Sequence, residues 1–175
     1  MATGDAGPSS EEIAFPRRLY LDTQFCFAYL VEEDADHEAA DDFALVLKQT
    51  SEAKLVECYV SILVVDELMW NLAGVLYDAR EGPGSWRSSD RRRAFLSVRS
   101  EVATVVQEFL SEAWVLFLRT PQVVGPAVPR LLRTYQLASA DLCHLAIARS
   151  AGLGIVTNDR DFHDLANPPV PIVGY

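Results

Sequence analysis

The chain has 175 residues, half of them apolar, with 25 acidic against 15 basic side chains and a net charge of −10. That is enough for one ordinary domain with a proper core and too little for two of typical size. It excludes an intrinsically disordered chain, and a protein that grips nucleic acid over its whole surface. The charge is uneven. Residues 1 to 79 hold 16 acidic and 4 basic side chains, whereas residues 80 to 175 hold 9 acidic and 11 basic, so one half is suited to contact phosphate and the other repels it.

Residues 1 to 16 mix Gly, Pro, Ser and acids ahead of any apolar pattern and read as a mobile tail. The opening MATGDAGPSSEE has neither a basic nor an apolar stretch of the secretory kind, and no apolar run reaches the roughly 20 residues that span a bilayer. A cytoplasmic protein without membrane association is expected. Cys26, Cys58 and Cys143 are odd in number and far apart, with no CxxC pair, and read as reduced core thiols. His37, His144 and His163 are equally scattered, so neither a Cys/His pair nor a serine triad is indicated.

In chain order, RLYLD (18 to 22) predicts a short buried strand ending at a carboxylate, and the apolar stretch 25 to 31 a helix after it. Residues 34 to 50 predict an amphipathic helix with acids on one side and Ala39, Phe43, Leu45 and Val46 on the other. KLVECYV (54 to 60) predicts a second strand, and Ser61 a cap for a helix over 62 to 77 that contains Glu67. REGPGSWRSSD (80 to 90) has loop composition. Ser89 or Asp90 can cap a long helix to 112, followed by a strand at 114 to 118 and a short helix at 129 to 136. Ser139 can cap a helix to about 151, ended by Gly152 and Gly154. GIVT (154 to 157) predicts a buried strand, Asp161 a cap for a last short helix, and 170 to 173 a final strand.

Strands alternating with helices imply a three-layer α/β/α sandwich around a mostly parallel sheet, which places ligands at the carboxyl ends of its strands. Asp22 and Asp159 both follow a predicted strand. Glu67 sits among Val64, Val65, Leu68 and Met69, where a carboxylate must be paired, solvated in a cleft or bound to metal. Its neighbour Asp66 points about 100° away around the helix, and Glu67 is the inward candidate. Asp141 lies in the first turn of a helix, where the macrodipole alone would favour it, and Asp22 could be a plain cap. Singly, each acid has a structural explanation. Together they form a set of hard oxygen ligands on separate elements, which suits magnesium or manganese and hence phosphoryl chemistry.

LYLDTQFCFAYL, SILVVDELMWNL, SADLCHLAIARSAGLGIVTNDRDF and the closing PIVGY, in this order and spacing, resemble a PIN domain of the VapC-type toxin ribonucleases over about residues 18 to 175. The resemblance implies a PIN-like fold and a metal-dependent ribonuclease whose catalytic and metal-holding residues are Asp22, Glu67, Asp141 and Asp159, with Thr157, Asn158 and Asp161 as additional members of the last loop. It also implies RNA as substrate, an antitoxin partner and a homodimer. The N-terminal tail and the Gly/Pro/Arg-containing insertion near 80 to 93 depart from the short toxins. Arg91, Arg92 and Arg93, with Trp86 nearby, combine charge and an aromatic ring in the manner of an RNA contact, against the alternative of a solvated helix face.

Two rivals are weighed. Aspartyl-phosphate phosphatases also begin with an Asp after the first strand, but require a second Asp two residues on, where this chain has Gln24. A catalytically inactive PIN-like module for protein interaction or RNA binding would keep the fold and lose metal. Four acids converging without metal should repel one another, so Glu67→Gln is expected to raise the melting temperature of the metal-free protein.

Overall fold

The computed structural model describes residues 15–120, 122 and 124–175. The tail reading falls outside them up to residue 14, while the Phe15 ring packs edge-on to Phe43 with centroids 5.5 Å apart. The apolar RLYL forms β1 (Arg18–Leu21), followed at once by α1 (Thr23–Leu30) and, after a turn, α2 (His37–Glu52). Next come β2 (Glu57–Val60), α3 (Ile62–Glu81), the single turn α4 (Ser85–Ser88), α5 (Arg91–Ser111) and β3 (Val115–Phe117). The chain closes with α6 (Val124–Leu132), α7 (Ser139–Ala151), β4 (Gly154–Val156), α8 (Arg160–His163) and β5 (Ile172–Val173).

The five strands form one sheet in the order β3-β2-β1-β4-β5, every pair parallel. Leu19 pairs with Cys58 on one side and Gly154 on the other. A central parallel strand is covered on both faces, so Leu19, Tyr20 and Leu21 form one buried run without alternation. The order reverses between β1 and β4, and right-handed crossovers therefore set α1 to α5 on one face and α6 and α7 on the other. Accordingly α1 packs on α2 and α3, α3 on α5, and α6 on α7. No helix among the described residues is long and apolar enough to cross a membrane.

Several boundaries differ from the sequence expectation for local reasons. In α2 the inward stripe is Ala40, Phe43, Ala44 and Leu47, the spacing of one helical face, while Leu45 and Val46 are exposed. β2 starts at Glu57 because Lys54, at φ 57°, closes a turn in which its amide reaches the Ser51 carbonyl. The expected loop at 80 to 90 is shortened: α3 runs to Glu81 and α4 supplies a further helical turn. α6 begins at Val124, ahead of Pro129, and ends at Leu132; burial of Val124 and Leu131 outweighs the hydrogen bond that an interior proline removes. Ala138, not Ser139, occupies the cap position of α7, and Asp159, not Asp161, caps α8, accepting the Asp161 amide at 2.9 Å. Asp90 does cap α5, accepting the Arg93 amide at 3.1 Å. Gly152 ends α7 at φ 66°, where a side chain would be strained.

Leu142, Leu145, Ile147 and Ala148 bury the inward face of α7 in the same core as β1 and β4. Leu145→Ala is expected to cost about 2–5 kcal/mol in urea unfolding. A loss below about 1 kcal/mol would show that α7 is not held by this core.

Candidate active site

The carboxyl edge of the sheet is where the acids gather. β1 hands the chain to Asp22, whose amide still pairs with the Val156 carbonyl at 3.2 Å, so Asp22 stands beside the residue that follows β4. That residue, Thr157, donates its hydroxyl toward Asp22 Oδ2 at 3.0 Å, with Gln24 Oε1 as an alternative acceptor at 3.2 Å, and accepts the Asp159 amide at 3.1 Å. Glu67 comes from the second turn of α3 and Asp141 from the first turn of α7. Asp22, Glu67, Asp141 and Asp159 line one open cleft of about 650 Å³, and Asp66, expected to point away from the Glu67 face, is exposed at the same cleft.

The other expected residues are placed differently. Thr157 is fully buried and supports Asp22. Asn158 turns away from the cleft and pins the C-terminus, donating to the Tyr175 carbonyl and accepting its amide, both at 3.0 Å. Asp161 gives its amide to Asp159, and its charge adds to those that raise Asp141. Arg91, Arg92 and Arg93 are exposed in the first turn of α5 and line neither this cleft nor the hollow next to it, whereas Arg87 lines that hollow.

The residue that sequence reasoning missed is His144. It is 1% exposed and bonded on both ring nitrogens, to the Tyr20 hydroxyl at 2.8 Å through Nδ1 and to Glu67 Oε2 at 2.9 Å through Nε2, with Asp22 Oδ1 3.7 Å from the same Nε2. The Tyr20 hydroxyl is shared with Ser61 Oγ at 2.8 Å, so the Ser61 side chain serves this chain of bonds and makes no cap bond to α3. A sequence signal was available. His144 falls one helical turn after Asp141 on an otherwise apolar face, so both reach the same end of the sheet.

Electrostatics follow from this arrangement. Burial raises the Asp22 carboxyl above its ordinary range despite the opposing influence of His144. Burial together with the charges of Asp159 and Asp22 pushes Asp141 up to about 6. Burial also pushes on Glu67, but hydrogen bonds from His144 and from Thr23 Oγ1, at 2.6 Å, outweigh it and hold Glu67 below the usual range. For His144, burial disfavours the cation, and the bond to Glu67 with the charges of Asp22, Glu67 and Asp141 outweighs that, raising its pKa. Among the described residues, no three His, Cys, Asp or Glu side chains are drawn together tightly enough to form a ready metal cage.

A family model for the PIN domain matches residues 19–168. The chain belongs to the PIN domain family. The fold of this PIN domain is similar to that of VapBC2 from Rickettsia felis bound to a promoter DNA fragment, with a TM-score of 0.59 at 13% identity, over 90% of this chain and 98% of that one. It is similar also to DNA-bound VapBC from Salmonella typhimurium, with a TM-score of 0.55 at 18% identity over 91% and 98% of the two chains. A third similar structure is VapC20 of Mycobacterium tuberculosis, described as a sarcin-ricin loop cleaving toxin, with a TM-score of 0.50 at 17% identity over 83% and 92%. No curated protein matches the chain.

The electrostatics of this PIN domain carry a pH signature. Asp141 binds its proton with an ordinary pKa of 3.8 in the unfolded chain and about 6 in the folded one. The folded state therefore holds more protons between these values, and stability falls as pH rises through them. Asp141→Asn escapes this loss. Without divalent metal and at fixed ionic strength, it should melt above the parent at neutral pH, with the gap closing near pH 4. An equal gap at both pH values would contradict the raised Asp141. Glu67→Gln should lower the melting temperature, the reverse of the sequence expectation, because Glu67 is the carboxylate whose charge the surroundings favour.

Proposed function

We propose that this PIN domain is a metal-dependent endoribonuclease that hydrolyses RNA phosphodiester bonds, using magnesium or manganese held by Asp22, Glu67, Asp141 and Asp159. The observation that carries the reading is the convergence of these four carboxylates, from four separate segments, on one open cleft at the carboxyl edge of a parallel sheet. The donor set is entirely hard oxygen, as those ions require. The raised Asp141 marks negative charge that a cation would relieve.

When bound, the ion neutralises charge at the phosphate and acidifies an attacking water. The chain's own residues orient the ligands. Thr157 aims Asp22 and anchors the amide of Asp159, Thr23 and His144 hold Glu67 Oε2, and the Asp161 amide fixes Asp159 Oδ1. Arg91, Arg92 and Arg93 are assigned to outlying RNA phosphates. The likeness to VapBC complexes supports a toxin role with an antitoxin partner, and the description of VapC20 supports RNA as the substrate. A homodimer is expected from the same likeness.

The bond from His144 to Glu67 favours a second reading, a non-catalytic PIN-like module that binds RNA or protein, in which the imidazole fills the role of the cation. Metal decides between them. RNA cleavage should require magnesium or manganese and stop with a chelator. At about 100 times its dissociation constant the ion should add about 2.7 kcal/mol of stability. Cleavage in excess chelator would overturn the metal mechanism, and a melt indifferent to both ions at millimolar levels would select the module.

Asp22→Asn should lower cleavage by orders of magnitude and leave the fold intact, since it removes ligand charge at constant shape, whereas Asp161→Asn should do much less because Asp161 contributes its amide. Equal losses would move the ligand assignment within this loop. Replacing Arg91, Arg92 and Arg93 together with Ala should weaken RNA binding, flatten its salt dependence and leave the metal-induced melting shift unchanged. An unaltered salt slope would return them to a solvated face.

A further inference from the structure

One wall of the acidic cleft is aromatic. Trp70 follows Glu67 by one turn of α3, which brings their Cβ atoms to about 5–6 Å, and both side chains line the cleft. The residue is 41% exposed, a large apolar side chain left open to solvent in a cleft lined by five carboxylates, those four and Asp66. It is held by two neighbours. The Phe95 ring, which also lines the cleft, lies within 21° of parallel at a centroid distance of 6.0 Å. Trp86 meets Trp70 edge-on at 5.0 Å.

Trp86 is itself fixed from below. Its amide donates to Asp78 Oδ1 at 2.6 Å, and its ring lies over Gly74, where a Cβ would come within 3.4 Å of the ring atoms Cδ1 and Nε1. Of the two tryptophans, Trp86 is thus the brace and Trp70 the presented surface. Trp70 and Asn71 continue from the cleft into an adjoining hollow of about 380 Å³, whose rim carries the exposed Arg87.

We propose that Trp70, backed by Phe95, is a stacking platform that positions an unpaired nucleobase of the RNA next to the bond cut at the acidic site. The inference rests on the ribonuclease reading and adds to it the side chain that positions a base beside the scissile bond. A planar, weakly hydrated partner fits an open indole, and a nucleobase arrives there on the same backbone as a phosphate in the acidic cleft. In a duplex both faces of every base are already covered, so an aromatic side chain selects bases that are out of the helix. The guanidinium of Arg87 suits the phosphate on the far side of that base.

The test uses the full chain carrying Asp22→Asn to keep RNA uncut, with fluorescently labelled short single-stranded RNAs, the same sequences as duplexes, and a set in which one abasic site moves along the strand. Trp70→Leu keeps apolar bulk and loses the π face, and should weaken single-strand binding by about 5- to 150-fold. Trp70→Phe should keep most of it. One abasic position should weaken binding to the chain with Trp70 and make no difference to Trp70→Leu. The abasic series with Trp70 intact, and Trp70→Phe, answer the question even if Trp70→Leu fails to fold. Unchanged single-strand binding by Trp70→Leu, equal affinity for strand and duplex, or no sensitive abasic position would overturn the platform. If the parent chain still cleaves RNA with metal, the ribonuclease reading survives that result. A parent that neither binds nor cuts RNA overturns both.

Discussion

The fold must hold several negative charges close together, and a buried imidazole makes that tolerable. His144 spans three elements: one ring nitrogen is hydrogen-bonded to the hydroxyl of Tyr20 from β1 and the other to Glu67 from α3, while the residue itself stands on α7. An ionised carboxylate inside a protein is costly without a partner. The imidazole supplies one for Glu67 and, at 3.7 Å, a favourable charge for Asp22. Asp141 has no such bond and is raised to about 6. The charge cost of the site is thus distributed unevenly, resting on Asp141 at the mouth of α7 and on the buried Asp22, and relieved at Glu67 inside α3.

α3 carries the division between stability and chemistry on a single helix. Val64, Val65, Leu68, Leu72 and Ala73 bury one side in the core, and Glu67, Trp70 and Asn71 line the cleft on another. Because the buried stripe fixes the rotation of the helix, the position of Glu67 is set by packing. The same stripe fixes Trp70, which explains how a large aromatic group stays exposed in a rigid place. α5 completes the arrangement by packing along α3 and presenting Phe95 beneath the indole.

The overall negative charge and the local chemistry are compatible for a geometric reason. The acids of α2 are exposed on that helix, and those of the site are confined to one end of the sheet. Among the described residues the arginines of the second half are not tied up by the sequence's acidic excess. Arg80 is an exception, being bound to Glu101 and to the Ser97 carbonyl, where it ties the end of α3 to α5.

Much of this was legible in the chain itself. The buried run RLYL, the Val- and Ile-rich GIVT, and the alternation of strands with helices dictated a parallel sheet with ligands at its carboxyl edge, since such strands can only be covered on both faces by helices. Asp22 and Asp159 could be placed there because Asp22 directly follows β1 and Asp159 stands in the short loop that leaves β4. The boundaries that failed were those decided by contacts or by single backbone angles: the positive φ at Lys54, the packing of α6 against α7, and the choice of Ala40, Ala44 and Leu47 over Leu45 and Val46 as the inward face of α2. The bonds of His144 to Tyr20 and Glu67 join residues 124 and 77 positions apart. No local pattern encodes such pairs. The sequence by itself determined which residue types end the strands and open the helices, because those preferences are local. Only the tertiary structure decided which carboxylate is paired, which is left raised and which ring is presented, because these depend on distances between segments that are remote in the chain.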